Sequence, residues 1–171
     1  KLAHIHFPTS ALSAERILKL GEEPFRVFNV GNPGLDRLRT TPGMSREELF
    51  ARYGFAPDLL DQPLIMVVQH VISSEAEQGY GQMKATMEAL KELGYPTVLS
   101  YPNSDAGSRG VIEAIEEYRD LPNLRTFHNV PRLEFVNTLR QAGCVLGNSS
   151  LGVLEAPFLK LPTINVGNRQ K

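Results

Sequence analysis

Five short apolar runs, each parted from the next by a stretch of helical spacing, leave this chain few ways to fold. The first, "PLIMVVQH" from Pro63 to His70, is nearly continuously apolar, as a strand buried on both faces would be. Met83, Met87 and Leu90 then recur at helical spacing, and Gly94 supplies a stop. "PTVLSYPN" reads as a second strand. Val111, Ile115 and Tyr118 mark the next helix, with Pro122 beyond its end. "LRTFHNV" is the third strand. Pro131 suits a helix first turn, Val136 and Leu139 face inward, and Gly143 closes that helix. "CVLGN" and "PTINVG" supply two more strands, with "LGVLEAPFLK" between them. Strands near 64–69, 97–101, 125–128, 144–147 and 163–166 are therefore expected as parallel neighbours. The fold class that follows is α/β, a Rossmann-like open parallel sheet with helices on both faces.

The first part of the chain reads differently. "KLAHIHFPTS" looks like a strand, and a helix from Ser13 to Leu20 stops at Gly21. "RVFNVGNPGLD" looks like another strand with a Gly-Pro-Gly exit. Ser45 and Glu48 form a capping box for "REELFARYG", and "APDLLDQP" approaches the main sheet. Such a segment cannot bury a core alone, so it reads as the tail of something larger.

Composition narrows the partners. The chain has 171 residues, a hydrophobic content of 42%, a charged content of 22% and a formal net charge of -1. These are the proportions of an ordinary globular domain, with no basic field for nucleic acid and no polybasic face for lipid. No apolar stretch approaches a bilayer's thickness, and the opening residues do not read as a signal peptide. The expected location is therefore cytoplasmic. One cysteine, Cys144, excludes an internal disulfide and a Cys-based zinc site; in its apolar run it reads as core.

In open α/β sheets, ligands bind beyond the carboxyl ends of the strands. His70, Asn103, His128 and Ser149 all follow strand candidates at that end. The turn "GNSSLGVLEAP" is the richest of these segments. Its serines, Ser149 and Ser150, open a helix-like stretch whose N–H groups suit a phosphate, and Gly147 and Gly152 let a ligand near the backbone. Glu155, about one and a half turns in, can accept from sugar hydroxyls. Equally, Ser149 can be a helix cap and Glu155 a solvated charge. His70 is either a rim imidazole for phosphate or acid–base work, or a histidine bonded to its neighbouring loop. In "YPNSDAGS", Asp105 or Ser108 is expected to cap the following helix. His4 and His6 share a strand face, but no further ligand cluster accompanies them. Arg169 in "NVGNRQK" either pairs with phosphate or faces water.

Taken together, "GNSSLGVLEAP", "LPTINVGNRQ", the "QH" that ends the first main strand and "PNSDAGS" resemble the hydrolysing UDP-N-acetylglucosamine 2-epimerase family. The opening "KLAHIHF" and "GEEPFRVFNVGNPGLD" resemble that family's passage between its two domains, so the likeness covers essentially the whole chain. The "PNSDAGS" and "GNSS" versions resemble the branch that makes free N-acetylmannosamine for sialic-acid-type sugars. The resemblance implies the C-terminal half of a two-domain GT-B-type fold. It implies elimination of UDP across C1–C2 of UDP-GlcNAc and hydration of the glycal to N-acetylmannosamine, with neither a metal nor a cofactor. His70 matches the family histidine near the diphosphate and sugar. Ser149 and Ser150 match the phosphate-holding serines within a turn that includes Gly152. Glu155 matches the ribose-binding glutamate, and Arg169 the arginine near the phosphates. Val71 departs from the proline or arginine more usual after the histidine. The family's acid–base carboxylates lie in the N-terminal domain, which is not in this chain, so no base is assigned here. Family members often dimerise, which implies contact between copies of the full-length chain.

The expected division is 1–30 as the tail of an N-terminal domain and crossover, 31–62 as a connecting helical segment, and 63–171 as the nucleotide-binding domain. Two other classes fit parts of the pattern. A GT-B-type glycosyltransferase domain would keep the nucleotide site, but "VGNRQ" argues against it. A non-catalytic α/β binding module, such as a receiver or periplasmic sensor domain, is disfavoured by the absence of a signal-like opening and of an acidic phosphorylation cluster.

Overall fold

The computed structural model describes residues 2–170. Lys1 and Lys171, which end the first and last expected segments, lie outside the described residues. The chain divides into two compact units, Lys1–Thr41 and Pro42–Lys171.

The first unit carries helix α1 (Ala11–Lys19) and helix α2 (Gly34–Thr40). Ser10 caps α1, its hydroxyl accepting the Ser13 N–H at 3.2 Å. The two strands expected in this region are not formed. Among the described residues they reduce to one parallel bridge between His6 and Val27, closed by His6 N–H to Arg26 O and Phe28 N–H to His6 O. Among the described residues no third segment continues the pairing, and Ile5, Phe7, Phe28 and Val30 stay exposed. An apolar run with no sheet to join remains irregular.

The second unit begins with helix α3 (Arg46–Tyr53). Ser45 caps it, accepting the Glu48 N–H at 3.1 Å, while the Glu48 carboxylate turns to Arg52 at 3.0 Å. Only half of the capping box therefore forms. Leu49, Phe50 and Tyr53 are buried, and α3 packs on a later helix of this unit. The compact units thus part between Thr41 and Pro42, and α3, expected in a connecting segment, belongs with the sheet.

Five strands follow, alternating with helices: β1 (Leu64–Val68), α4 (Gly79–Leu93), β2 (Thr97–Ser100), α5 (Ser108–Glu116), β3 (Leu124–Phe127), α6 (Arg132–Gln141), β4 (Ala142–Gly147), α7 (Leu151–Leu154) and β5 (Thr163–Asn165). All four pairings are parallel and the order is β3-β2-β1-β4-β5. The sheet is the expected Rossmann-like one, within two residues at every strand end. Ile65, Val67 and Leu99 pack with Met83, Met87 and Leu90 of α4 and Val111 and Ile115 of α5. The alternate residues Leu64, Met66 and Val98 are equally buried, on the face where α6 and α3 lie. Tyr53 reaches Thr138 of α6 through its hydroxyl at 2.6 Å, and Arg125 of β3 donates to the Tyr53 carbonyl at 2.7 Å. Cys144 lies half-buried against the core, and burial pushes its thiol up, away from the reactive thiolate.

Three local expectations change. Gly143 does not close α6, because β4 already begins at Ala142 and Gly143 sits inside the strand. Neither Asp105 nor Ser108 caps α5. The capping position is Gly107, whose φ of +90° and close approach to Ala76 leave no room for a side chain. The stretch "LGVLEAPFLK" gives only the single turn α7, since Pro157 cannot continue it.

Candidate functional site at the β1–β4 rim

The strand order reverses direction between β1 and β4, which makes their carboxyl ends the topological switch point. His70 leaves β1 there, and Gly147 to Ser150 leave β4 beside it. Gly147 has a φ of +139°, and a Cβ on it would lie 2.1 Å from the Val68 carbonyl oxygen. Only glycine lets β4 turn off so close to β1.

Asn148 is the residue that sequence reasoning passed over. It is 2% exposed. Its Oδ1 accepts the His70 N–H at 2.7 Å and its Nδ2 donates to the His70 carbonyl at 2.8 Å. Its own N–H donates to Val68 O at 3.2 Å. Its carbonyl accepts from Arg169 Nη1 at 3.0 Å and from Gln170 Nε2 at 3.3 Å. Asn165 steadies the same loop, donating to the carbonyls of Gly167 and Gln170 at 3.1 and 3.2 Å. The available signal was an amide side chain directly after the glycine of a strand exit, where backbone groups lose their ladder partners.

The His70 ring accepts the Asn103 N–H on Nδ1 at 3.3 Å, so in the neutral ring Nε2 carries the proton. Asn103 in turn donates to Asp105 at 2.7 Å. Burial holds the His70 pKa below its ordinary value, Arg169 lowers it further, and Asp105 opposes them. His70 is therefore a neutral donor at neutral pH. The linked stability has a definite sign. Below the ordinary value of 6.5 the unfolded chain takes up this proton before the fold does, so His70 makes stability fall with falling pH. Replacing His70 with Gln is expected to flatten that part of a stability–pH profile from denaturant melts; an unchanged slope would contradict the assignment.

Ser149 accepts the Leu151 N–H on Oγ at 3.3 Å, leaving its own O–H to donate outward. The N–H groups of Gly152, Val153 and Leu154 are taken by the carbonyls of Ser149 and Ser150. α7 is one turn long, so the dipole of a long helix is not available here. The donors open to a ligand are instead the serine hydroxyls and the N–H groups of Ser149 and Ser150, which have no partner among the described residues. A Cβ on Gly152 would lie 2.5 Å from Thr163 Cγ2, so this glycine lets α7 sit against β5. Glu155 Oε2 is buried without a hydrogen-bond partner among the described residues, and burial raises the carboxyl's pKa, opposed by a backbone hydrogen bond. Arg169 is exposed beside Asn148.

The remaining candidates stand apart from this cluster. His128 stacks on Tyr101 with ring centroids 4.2 Å apart. His6 lies 3.2 Å from Glu22 in the first unit. Among the described residues no group of three or more His, Cys, Asp or Glu side chains is placed to hold a metal, and no helix is long and apolar enough to cross a membrane. Val71 lies in the loop after β1, but its side chain is 2% exposed and packs in the core.

The fold is that of a Rossmann-like α/β domain, with hydroxyl, backbone N–H, guanidinium and imidazole groups at its switch point. The sequence profile of the UDP-N-acetylglucosamine 2-epimerase family matches residues 1–171, and the chain belongs to that family. It is 34% identical over 170 residues to UDP-N,N'-diacetylbacillosamine 2-epimerase (hydrolyzing) of Legionella pneumophila, covering 99% of this chain and 44% of that protein. It is 28% identical over 170 residues to UDP-N-acetylglucosamine 2-epimerase of Neisseria meningitidis, again covering 99% of this chain and 44% of that protein. The fold matches the Neisseria meningitidis UDP-GlcNAc 2-epimerase crystal structure bound to UDP-GlcNAc with a TM-score of 0.74 at 17% identity, over 96% of this chain and 44% of that one. The chain thus spans less than half the length of these relatives.

Proposed function

We propose that this chain is the C-terminal, UDP-binding half of a hydrolysing UDP-GlcNAc 2-epimerase. The observation that carries the proposal is Glu155, a buried carboxylate oxygen without a partner beside a turn of open donors. A buried acceptor left unpaired is costly, and a ribose with vicinal hydroxyls is a ligand that satisfies it. In this reading Ser149 and Ser150 donate to the diphosphate, Arg169 adds charge to it, and Gly152 lets their turn lie against β5. His70, neutral with Nε2–H outward, donates to the departing diphosphate or its sugar. Oriented donors aimed at a leaving group stabilise the charge that grows on it. The chemistry is loss of the C2 proton, cleavage of the C1–O bond to UDP, and addition of water across the resulting C1–C2 double bond to give N-acetylmannosamine, a precursor type for sialic acids. The proton-abstracting carboxylate is supplied from outside these residues, so the chain alone binds UDP without turnover. The full-length protein acts as a cytoplasmic enzyme without metal or cofactor, and copies of it associate.

A second substrate reading rests on the 34% identity to the diacetylbacillosamine enzyme. There the sugar carries two N-acetyl groups, while the UDP contacts stay the same. Incubating the full-length protein with each UDP-sugar and following UDP release separates the two, and no release from either would end the epimerase proposal.

The contacts predict distinct ligand profiles. Glu155→Gln is expected to weaken both UDP and uridine by about ten- to a hundredfold, the worth of a hydrogen bond to a charged group. It should not lower stability at neutral pH, because the raised pKa means that the fold prefers this carboxyl neutral and loses stability as pH rises through its titration. Ser149→Ala should weaken UDP and leave uridine unchanged. Calorimetry with the two ligands checks both, and wild-type binding by both variants would reduce the turn to a structural element.

A further inference from the structure

The parallel ladder between β1 and β4 ends at Val68 and Gly147. Two residues later, the His70 N–H and C=O have no strand to pair with, yet the imidazole they carry is the most chemically capable group on the rim. The side-chain amide of Asn148 meets both groups at once, at 2.7 and 2.8 Å, across 78 residues of sequence. It acts as a peptide group would if β4 ran on. The backbone of Asn148 is occupied separately, its N–H on Val68 and its carbonyl on Arg169 and Gln170.

We propose that Asn148 is the positioning residue of this site, a side-chain extension of the sheet that fixes the His70 backbone and so aims its imidazole. The proposal rests on the role given to His70 in nucleotide-sugar elimination. Its chemistry is narrow. Asp at this position would set a carboxylate against the His70 carbonyl, Ser is too short to reach both groups, and Gln is longer by a methylene. Two functions are also separable within the one residue. The side chain holds His70, whereas the carbonyl, common to every residue type, holds Arg169. An aim lost by an ångström costs catalysis heavily without removing any group from the site.

The test uses the full-length protein with Asn148→Ala and the same-sized Asn148→Asp. Turnover is followed as UDP release from UDP-GlcNAc, binding by UDP calorimetry, and His70 by the NMR titration of its ring. For both variants kcat is expected to fall by about ten- to a hundredfold, while UDP affinity stays within about threefold because the carbonyl to Arg169 remains. In Asn148→Ala the His70 titration should move up towards 6.5, since the ring leaves the half-buried place beside Arg169 and opposite Asp105. Unchanged kcat in both variants would overturn the proposal. So would losses of kcat and UDP affinity in equal measure with the His70 titration unmoved, the mark of general damage. Should Asn148→Ala fail to fold, the split between kcat and UDP affinity in Asn148→Asp decides. A wild-type protein that neither binds UDP nor releases it defeats the functional reading alone. The His70 titration of Asn148→Ala still judges the clamp, upheld if it moves and refuted if it does not.

Discussion

In the full-length protein, His70→Ala is expected to lower kcat by about a hundredfold or more, the range of a positioned acid–base or donor group. Stability should fall by less than about 1 kcal/mol, as for side chains outside the core. The two effects part because the two halves of His70 do different work. Its backbone is held by Asn148, and any residue keeps those bonds. Among the described residues its ring makes one long hydrogen bond, from the Asn103 N–H. Kinetics and thermal melting on the same preparation decide the matter. Parallel losses in both would make His70 a structural histidine.

Gly147→Ala is expected to produce the largest loss of stability of any single methyl added at the site. The new Cβ would lie 2.1 Å from Val68 O and 2.6 Å from Val68 C, both rigid backbone atoms of the central strand. The residue would also hold a φ of +139°, which disfavours any side chain. Overpacking and backbone strain together amount to about 3 kcal/mol or more. For a domain of this size that lowers Tm by about 6–12 °C. Because Val68 O also takes the Asn148 N–H at the start of the Ser149–Ser150 turn, the distortion should carry into those donors and weaken UDP binding. A Gly147→Ala protein that melts like wild type would show that β1 and β4 do not approach this closely. Gly81, which has open space around it, is the natural control.

β1 was readable because a strand covered on both faces leaves an unbroken apolar signature, and "LIMVV" is buried at every position; the exposed edge strand β5 was readable only from its place in the strand–helix alternation. The N-terminal runs carried a similar signature without a sheet to join, and they form one bridge. Apolar periodicity reports what a segment can bury, not whether a partner strand is present. "LGVLEAPFLK" misled for a local reason, since Pro157 limits the helix to one turn. At the candidate site, residue type and position after a strand or turn singled out His70, Ser149, Glu155 and Arg169 as candidates. The sequence could not show that Glu155 Oε2 is buried without a partner, because burial comes from tertiary packing. Nor could it show that Asn148, an ordinary turn residue by type, reaches 78 residues back to His70.

The central claim is that the rim between β1 and β4 holds UDP. A titration of the isotope-labelled chain with UDP, followed by amide NMR, tests it most directly. The account predicts saturable shifts concentrated at His70, Gly147 to Glu155 and Arg169, with weaker shifts on titration with uridine. No shifts at this rim, or shifts concentrated in the groove of Tyr80, Arg109 and Glu117 between α4 and α5, would contradict it.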